Sequence, residues 1–151
     1  MKKTIACLAA LSILGGTAVF AQDSEAVLKA RQGQFRILAL NLGVLGGMAK
    51  GSIEYNADAA QAAADSIVGV SMVHQATLFP EGTDAMSIEG TRAEPAIWEN
   101  FGDFESKWAA LGEAAASAQN VVAGGKDAVG PALGQLGGAC KACHDTYRAP
   151  E

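Results

Sequence analysis

From Ser24 onward the apolar positions of this chain recur every three or four residues, the repeat of a helix with one buried face. Val27, Arg31, Phe35, Leu38, Leu42 and Leu45 share one stripe, so a first helix is expected from Ser24 to Lys50, with Ser24 or Asp23 as its cap. Gly46-Gly47 and Gly51 loosen its end. A second helix fits Asp58 to Leu78, capped by Asp58 or Asn56, with Ala60, Ala63, Ile67, Val70 and His74 in register. Its N-terminal half is nearly all alanine, a surface that another helix or subunit can approach closely. Phe79-Pro80 ends it. Pro95 is a favoured first-turn residue and opens a third helix, expected to reach Val122. Its seam is Ile97, Phe101, Phe104, Trp108 and Leu111. Gly124-Gly125 stops that helix, and a last one follows from Lys126 to Arg148. Val129, Leu133, Leu136, Cys140, Cys143 and Tyr147 line its seam, and Gly130-Pro131 is placed in its first turn, where proline is tolerated. Alternating β-branched runs bounded by tight turns are missing. The fold class is therefore all-α, an antiparallel up-down-up-down four-helix bundle. Residues 80–94 form the one long connection, of a length that usually crosses over a domain or lines a site.

Two departures from the pattern change the picture. Arg31 lies on an otherwise apolar stripe, and a cation there needs a partner unless it snorkels to the surface. Ahead of the first helix, Met1-Lys2-Lys3 is followed by an uncharged run from Ile5 to Phe20 and then by Val19-Phe20-Ala21. This reads as a signal peptide cut after Ala21, leaving a domain of residues 22–151. The run is shorter than the ~20 residues a membrane span needs, so no membrane association is expected after cleavage. Cys7 is discarded with the leader. Lys and Arg total 11 against 16 Asp and Glu, a formal charge of −5, which argues against nucleic acid as a partner.

The candidate chemistry is Cys140-Lys141-Ala142-Cys143-His144, a Cys-x-x-Cys-His motif, the attachment signature of c-type haem. Each thiol can form a thioether to one vinyl group of the porphyrin, and His144 can bind the iron through a ring nitrogen. A structural zinc needs four ligands, and only His74 could join these three residues. A thioredoxin-like pair normally sits beside a strand. A plain disulfide leaves His144 unexplained. Arg148 lies four residues after His144, on the same helix face. It can reach the proximal side of the ring, or simply stabilise the helix end. The usual sixth ligands are Met or His. Met48, Met72, Met86 and His74 are present, but none sits mid-way along a face that must cross a haem. The first helix offers Phe35 instead, one turn after Arg31. A benzene ring cannot coordinate iron, but it can cover it.

These residues give the chain a specific likeness over residues 22–151. It resembles the cytochrome c prime family, a class II c-type cytochrome family, through the run Cys140 to Arg148, the pair Arg31-Gln32, and the segment Thr91 to Trp98, where Ala96 replaces the more frequent Glu. The resemblance implies a bundle with one covalently bound haem c, attached at Cys140 and Cys143 and ligated by His144, with iron five-coordinate and high-spin. It further implies that Arg31 and Gln32 contact a haem propionate, that Thr91 and Arg92 lie near the haem edge, that Phe35 faces the vacant distal site, and that Arg148 stands on the proximal side, close to where nitric oxide can replace His144. The implied function is electron transfer, reversible binding of nitric oxide or carbon monoxide, or both, in the periplasm. The partners would be a small gas or a redox protein, and a homodimer would form through the first two helices. No enzymatic activity is expected. The alternative is a low-spin electron carrier with a sixth protein ligand.

Overall fold

The structure, a computed structural model, describes residues 24–150. The expected leader, Cys7 and Asp23 lie outside them. Among the described residues the chain is all-α. α1 spans Ser24–Lys50, α2 Ala57–Ser71, α3 Ala96–Glu99, α4 Phe101–Gln119 and α5 Lys126–Tyr147, with 3-10 turns at Gln75–Thr77 and Val122–Gly124. α1 packs on α2 and α5, and α4 packs on the same two helices. Consecutive long helices are thus neighbours and the last closes on the first, a four-helix bundle. No helix of the described residues is long and apolar enough to cross a membrane.

Local chemistry explains where the helices end. Gly51 terminates α1 at φ 77°, a backbone that glycine adopts without strain. Gly47, one turn earlier, is where the chain folds back. A Cβ at this position would lie 2.5 Å from Ile53 Cδ1, and Ile53 N–H donates to the Gly47 carbonyl at 3.0 Å. Asn56, one of the two expected caps, starts α2 by accepting from Ala59 N–H at 2.8 Å.

Several details differ from expectation. α2 stops at Ser71 rather than Leu78, because Gln75 is drawn inward to a reciprocal amide pair with Gln34 at 2.8 and 3.3 Å. His74 therefore leaves the stripe, sits in extended backbone and is exposed. The third expected helix is broken at Asn100, whose Oδ1 accepts from Asp103 N–H at 3.3 Å and restarts the chain as α4. A side chain that bonds its own backbone competes with helix continuation. Pro131 falls in the second turn of α5, not the first, and it is solvent-exposed.

The bundle holds two cores. One is aliphatic and alanine-rich: Leu45, Met48, Ala60, Ala64, Ile67, Ala115, Val129 and Leu136 are among its members. The other is aromatic, with Phe79, Phe104 and Tyr147 joined by Ala93 and Ile97. Phe104 meets Phe79 at 4.8 Å and Tyr147 at 5.5 Å between ring centroids, both edge-on, a favoured aromatic geometry. The second core lines the foot of a cavity, whose wall also includes Leu38, Trp108 and Leu111 of the first.

Candidate functional site

A cavity of about 800 Å³ opens between α1, α4, α5 and the long connection, within the size range of pockets that enclose cofactors. All nine residues singled out from the sequence line it. Arg31, Gln32 and Phe35 come from α1, Thr91 and Arg92 from the connection, and Cys140, Cys143, His144 and Arg148 from α5 and the residue beyond it. The cavity also explains an irregularity in the α1 stripe. Gln34, Leu38 and Leu45 are buried, whereas Phe35 is 36 % exposed and Leu42 is half-buried. Phe35 and Leu42 face the cavity wall. Cys140 and Cys143 are half-buried for the same reason.

Arg31 finds its partner in the connection. Its Nε donates to Leu78 O at 2.8 Å, and one terminal nitrogen donates to Thr83 O at 2.9 Å and to Thr91 Oγ1 at 3.2 Å. The other terminal nitrogen donates to Thr83 Oγ1. The guanidinium lies 4.1 Å from the Phe79 ring centroid, a cation–π contact. These partners are all neutral. Burial pushes Arg31 down to about 10, so it remains charged at neutral pH in the cavity wall. Gln32 donates from Nε2 to Gly90 O at 2.9 Å. Arg31 and Gln32 thus fasten the connection to α1 from both ends. Thr83 and the Gln34–Gln75 pair were not legible beforehand, because their partners are forty or more positions away in sequence.

The two thiols stay neutral. Burial pushes Cys140 up, and burial together with the neighbouring Cys140 pushes Cys143 up. Burial lowers His144 first, and the charges of Arg148 and Arg92 lower it further. A neutral imidazole is the form that ligates a metal. Arg148 stands 3.3 Å from His144 Nδ1. Tyr147, buried beside Cys143, donates to Asp103 Oδ2 at 2.6 Å. On the far wall Trp108 meets Phe35 edge-on at 6.0 Å, and its buried Nε1–H has no acceptor among the described residues.

This donor set fits a c-type haem. Two thiols and an imidazole line one wall of a large, mostly apolar cavity, instead of converging on one ion, and no group of three or more His, Cys, Asp or Glu able to hold a metal occurs among the described residues. Other cations line the cavity as well: Arg36 and Lys107 join Arg31, Arg92 and Arg148, and no carboxylate is among the described residues that line it. A porphyrin that brings two propionates meets complementary charge there. The candidate sixth ligands are elsewhere. Met48 is buried in the aliphatic core, Met72 and Met86 are 74 % and 86 % exposed, and none of them nor His74 lines the cavity.

Comparison with known proteins gives the same reading. Residues 26–148 match the family model described as Cytochrome C'. The chain is similar to the cytochrome c' of Cereibacter sphaeroides, 38 % identical over 141 residues that cover 93 % of this chain and 95 % of that protein. Among solved structures it is similar to a cytochrome c' from Rhodobacter Spheriodes, with a TM-score of 0.82 and 38 % identity, covering 85 % of this chain and 99 % of that one. It is also similar to the nitric oxide complex of a variant cytochrome c prime from Alcaligenes xylosoxidans, with a TM-score of 0.72, 29 % identity and coverage of 85 % and 97 %.

Proposed function

The chain belongs to the cytochrome c′ family of c-type haem proteins, and we propose that it binds diatomic gases, nitric oxide foremost and carbon monoxide more weakly, at an open distal iron face, and exchanges electrons at the mouth of the same cavity. When bound, the haem would supply a redox-active iron able to take a small ligand. Cys140 and Cys143 anchor the ring covalently. His144, as a neutral imidazole, would hold the proximal side. Arg31 and Gln32, already locked to the connection, present fixed charge and donors to a propionate, with Thr91 and Arg92 at the haem edge. Arg148 stands by the proximal imidazole.

The observation that carries this reading is the composition of the cavity wall. Phe35 is there, and among the described residues no methionine and no histidine other than His144 joins it. Phe35 offers no hydrogen bond to a ligand and would cover one face of a bound ring, so the distal side would exclude polar and bulky ligands. A low-spin carrier would need Met48, Met72, Met86 or His74 brought from outside the cavity. The nitric oxide complex among the similar structures supports the choice of gas. Phe35→Ala is expected to speed carbon monoxide binding to the ferrous protein, because it removes a crowding side chain. Unchanged rates in stopped flow would mean that Phe35 does not cover the iron.

The remaining parts of the reading follow from the same sources. The leader expected over residues 1–21 supports a periplasmic site, where haem attachment and disulfide-permissive chemistry are found. α1 exposes Ile37 and Leu40, and α2 exposes Ala59 and Ala62, which supports a homodimer through these two helices.

A further inference from the structure

The chain does not fray where α5 ends. Tyr147 is the last helical residue, and Arg148 follows in extended backbone, φ −127° and ψ 120°. Here the connection holds it twice through the backbone. Glu94 N–H donates to Tyr147 O at 3.1 Å, and Ala149 N–H donates to Arg92 O at 2.8 Å, forming an isolated antiparallel bridge between Ala93 and Arg148. The side chain of Arg92 adds to this, donating to Ala149 O from Nε at 2.7 Å and from a terminal nitrogen. Residue 92 therefore binds both the amide and the carbonyl of Ala149. On the other side, Tyr147 is fixed by burial and by Asp103.

Arg148 lies between these two fixed residues. Its backbone has no latitude, and its side chain turns back one helical turn to reach His144 Nδ1 at 3.3 Å. A guanidinium has donors and no acceptor, so it faces the imidazole as a fixed positive charge. We infer that Arg92 is a positioning residue: by clasping Ala149 it holds Arg148 against the outer nitrogen of the proximal imidazole. Groups that touch the non-ligating nitrogen of a metal-bound histidine set the strength of its bond to the metal. The inference rests on the proposed ligation by His144, and it assigns Arg92 a task beyond the end of α5 in addition to its place at the haem edge.

The test uses the ferrous holoprotein and the iron–imidazole stretching band in its resonance Raman spectrum, with amide exchange at Ala149 as a second readout. Arg148→Ala should shift the band. Arg92→Ala should shift it in the same direction by a comparable amount and speed exchange at Ala149 by roughly tenfold. The double variant should shift it no further than the larger single one. Arg92→Lys keeps the charge but loses the planar two-nitrogen grip, so it should give a shifted band and fast exchange at Ala149. A native band in Arg92→Ala beside a shifted band in Arg148→Ala overturns the inference. So does additivity in the double variant, or a native band in Arg92→Lys with fast exchange, which would make charge and not position the cause. A band unmoved by Arg148→Ala also overturns it, since nothing is then being positioned. Absence of any iron–imidazole band in the unaltered protein overturns the proposed open iron with His144 as its one protein ligand, so the two failures are distinguishable.

Discussion

The two ends of this bundle solve the same packing problem in opposite ways. At the aliphatic end the helices close on one another through alanines and branched side chains. Ala60, Ala64 and Ala115 are fully buried beside Ile67, Leu45 and Val129, and small residues let the backbones approach. At the aromatic end the helices stand apart around the cavity, and the wall is secured by directional bonds: Arg31 to the connection, Tyr147 to Asp103, Arg92 to Ala149. Close packing is self-sufficient and needs no ligand. A wall held by hydrogen bonds can leave room for a large planar group and still keep one shape. The difference implies that damage to the first end lowers stability and leaves haem chemistry intact, whereas damage to the second reaches the haem.

Ile67→Ala probes the closed end and has the largest expected effect on stability. It leaves a cavity among fully buried neighbours and should cost about 3–4 kcal/mol in denaturant unfolding, with the haem absorption spectrum unchanged. A spectral change would break the separation of the two ends. Arg31→Met comes next. It strands acceptors at Leu78, Thr83 and Thr91, for a loss of about 3 kcal/mol, and unlike the first variant it should alter the haem spectrum and speed amide exchange in the connection. A loss of stability with an unaltered spectrum would make Arg31 part of the scaffold alone.

Tyr147→Phe sharpens the comparison with the smallest effect, about 1 kcal/mol at neutral pH. Its pH dependence is more telling. Burial and the bond to Asp103 push the Tyr147 phenol up to about 12, against an ordinary value near 10. A raised folded-state value means that the stabilisation is complete below the unfolded value and is lost as pH rises through the folded one. Stability should therefore fall between about pH 10 and 12, and Tyr147→Phe should remove that part of the fall. An identical alkaline profile in the variant would show that the phenol does not titrate with unfolding.

Much of this was legible in the chain because its signals are local. The α1 boundaries, the stripe carrying Phe35 and the Cys-x-x-Cys-His run depend only on spacing along one helix, and the structure brings all nine expected site residues to one cavity. The boundaries that moved did so through distant partners. Gln34 pulls Gln75 out of helical register, and Asn100 caps α4 with its own side chain. The residues that fix the wall are of the same kind. Thr83 meets Arg31 across 52 positions, and Arg92 meets Ala149 across 57. No periodicity records such pairs. The neutral partners of Arg31 show the limit clearly: its position on an apolar stripe demanded a partner but could not name one.

The central claim is an iron face left open by a wall that carries Phe35 and no second ligand. The absorption spectrum of the ferrous protein, recorded with and without nitric oxide, tests it most directly. A single broad high-spin band that changes when nitric oxide is added is the predicted result. A sharp, split low-spin spectrum that nitric oxide leaves unaltered would contradict it, and would mean that a methionine or His74 reaches the iron from outside the cavity.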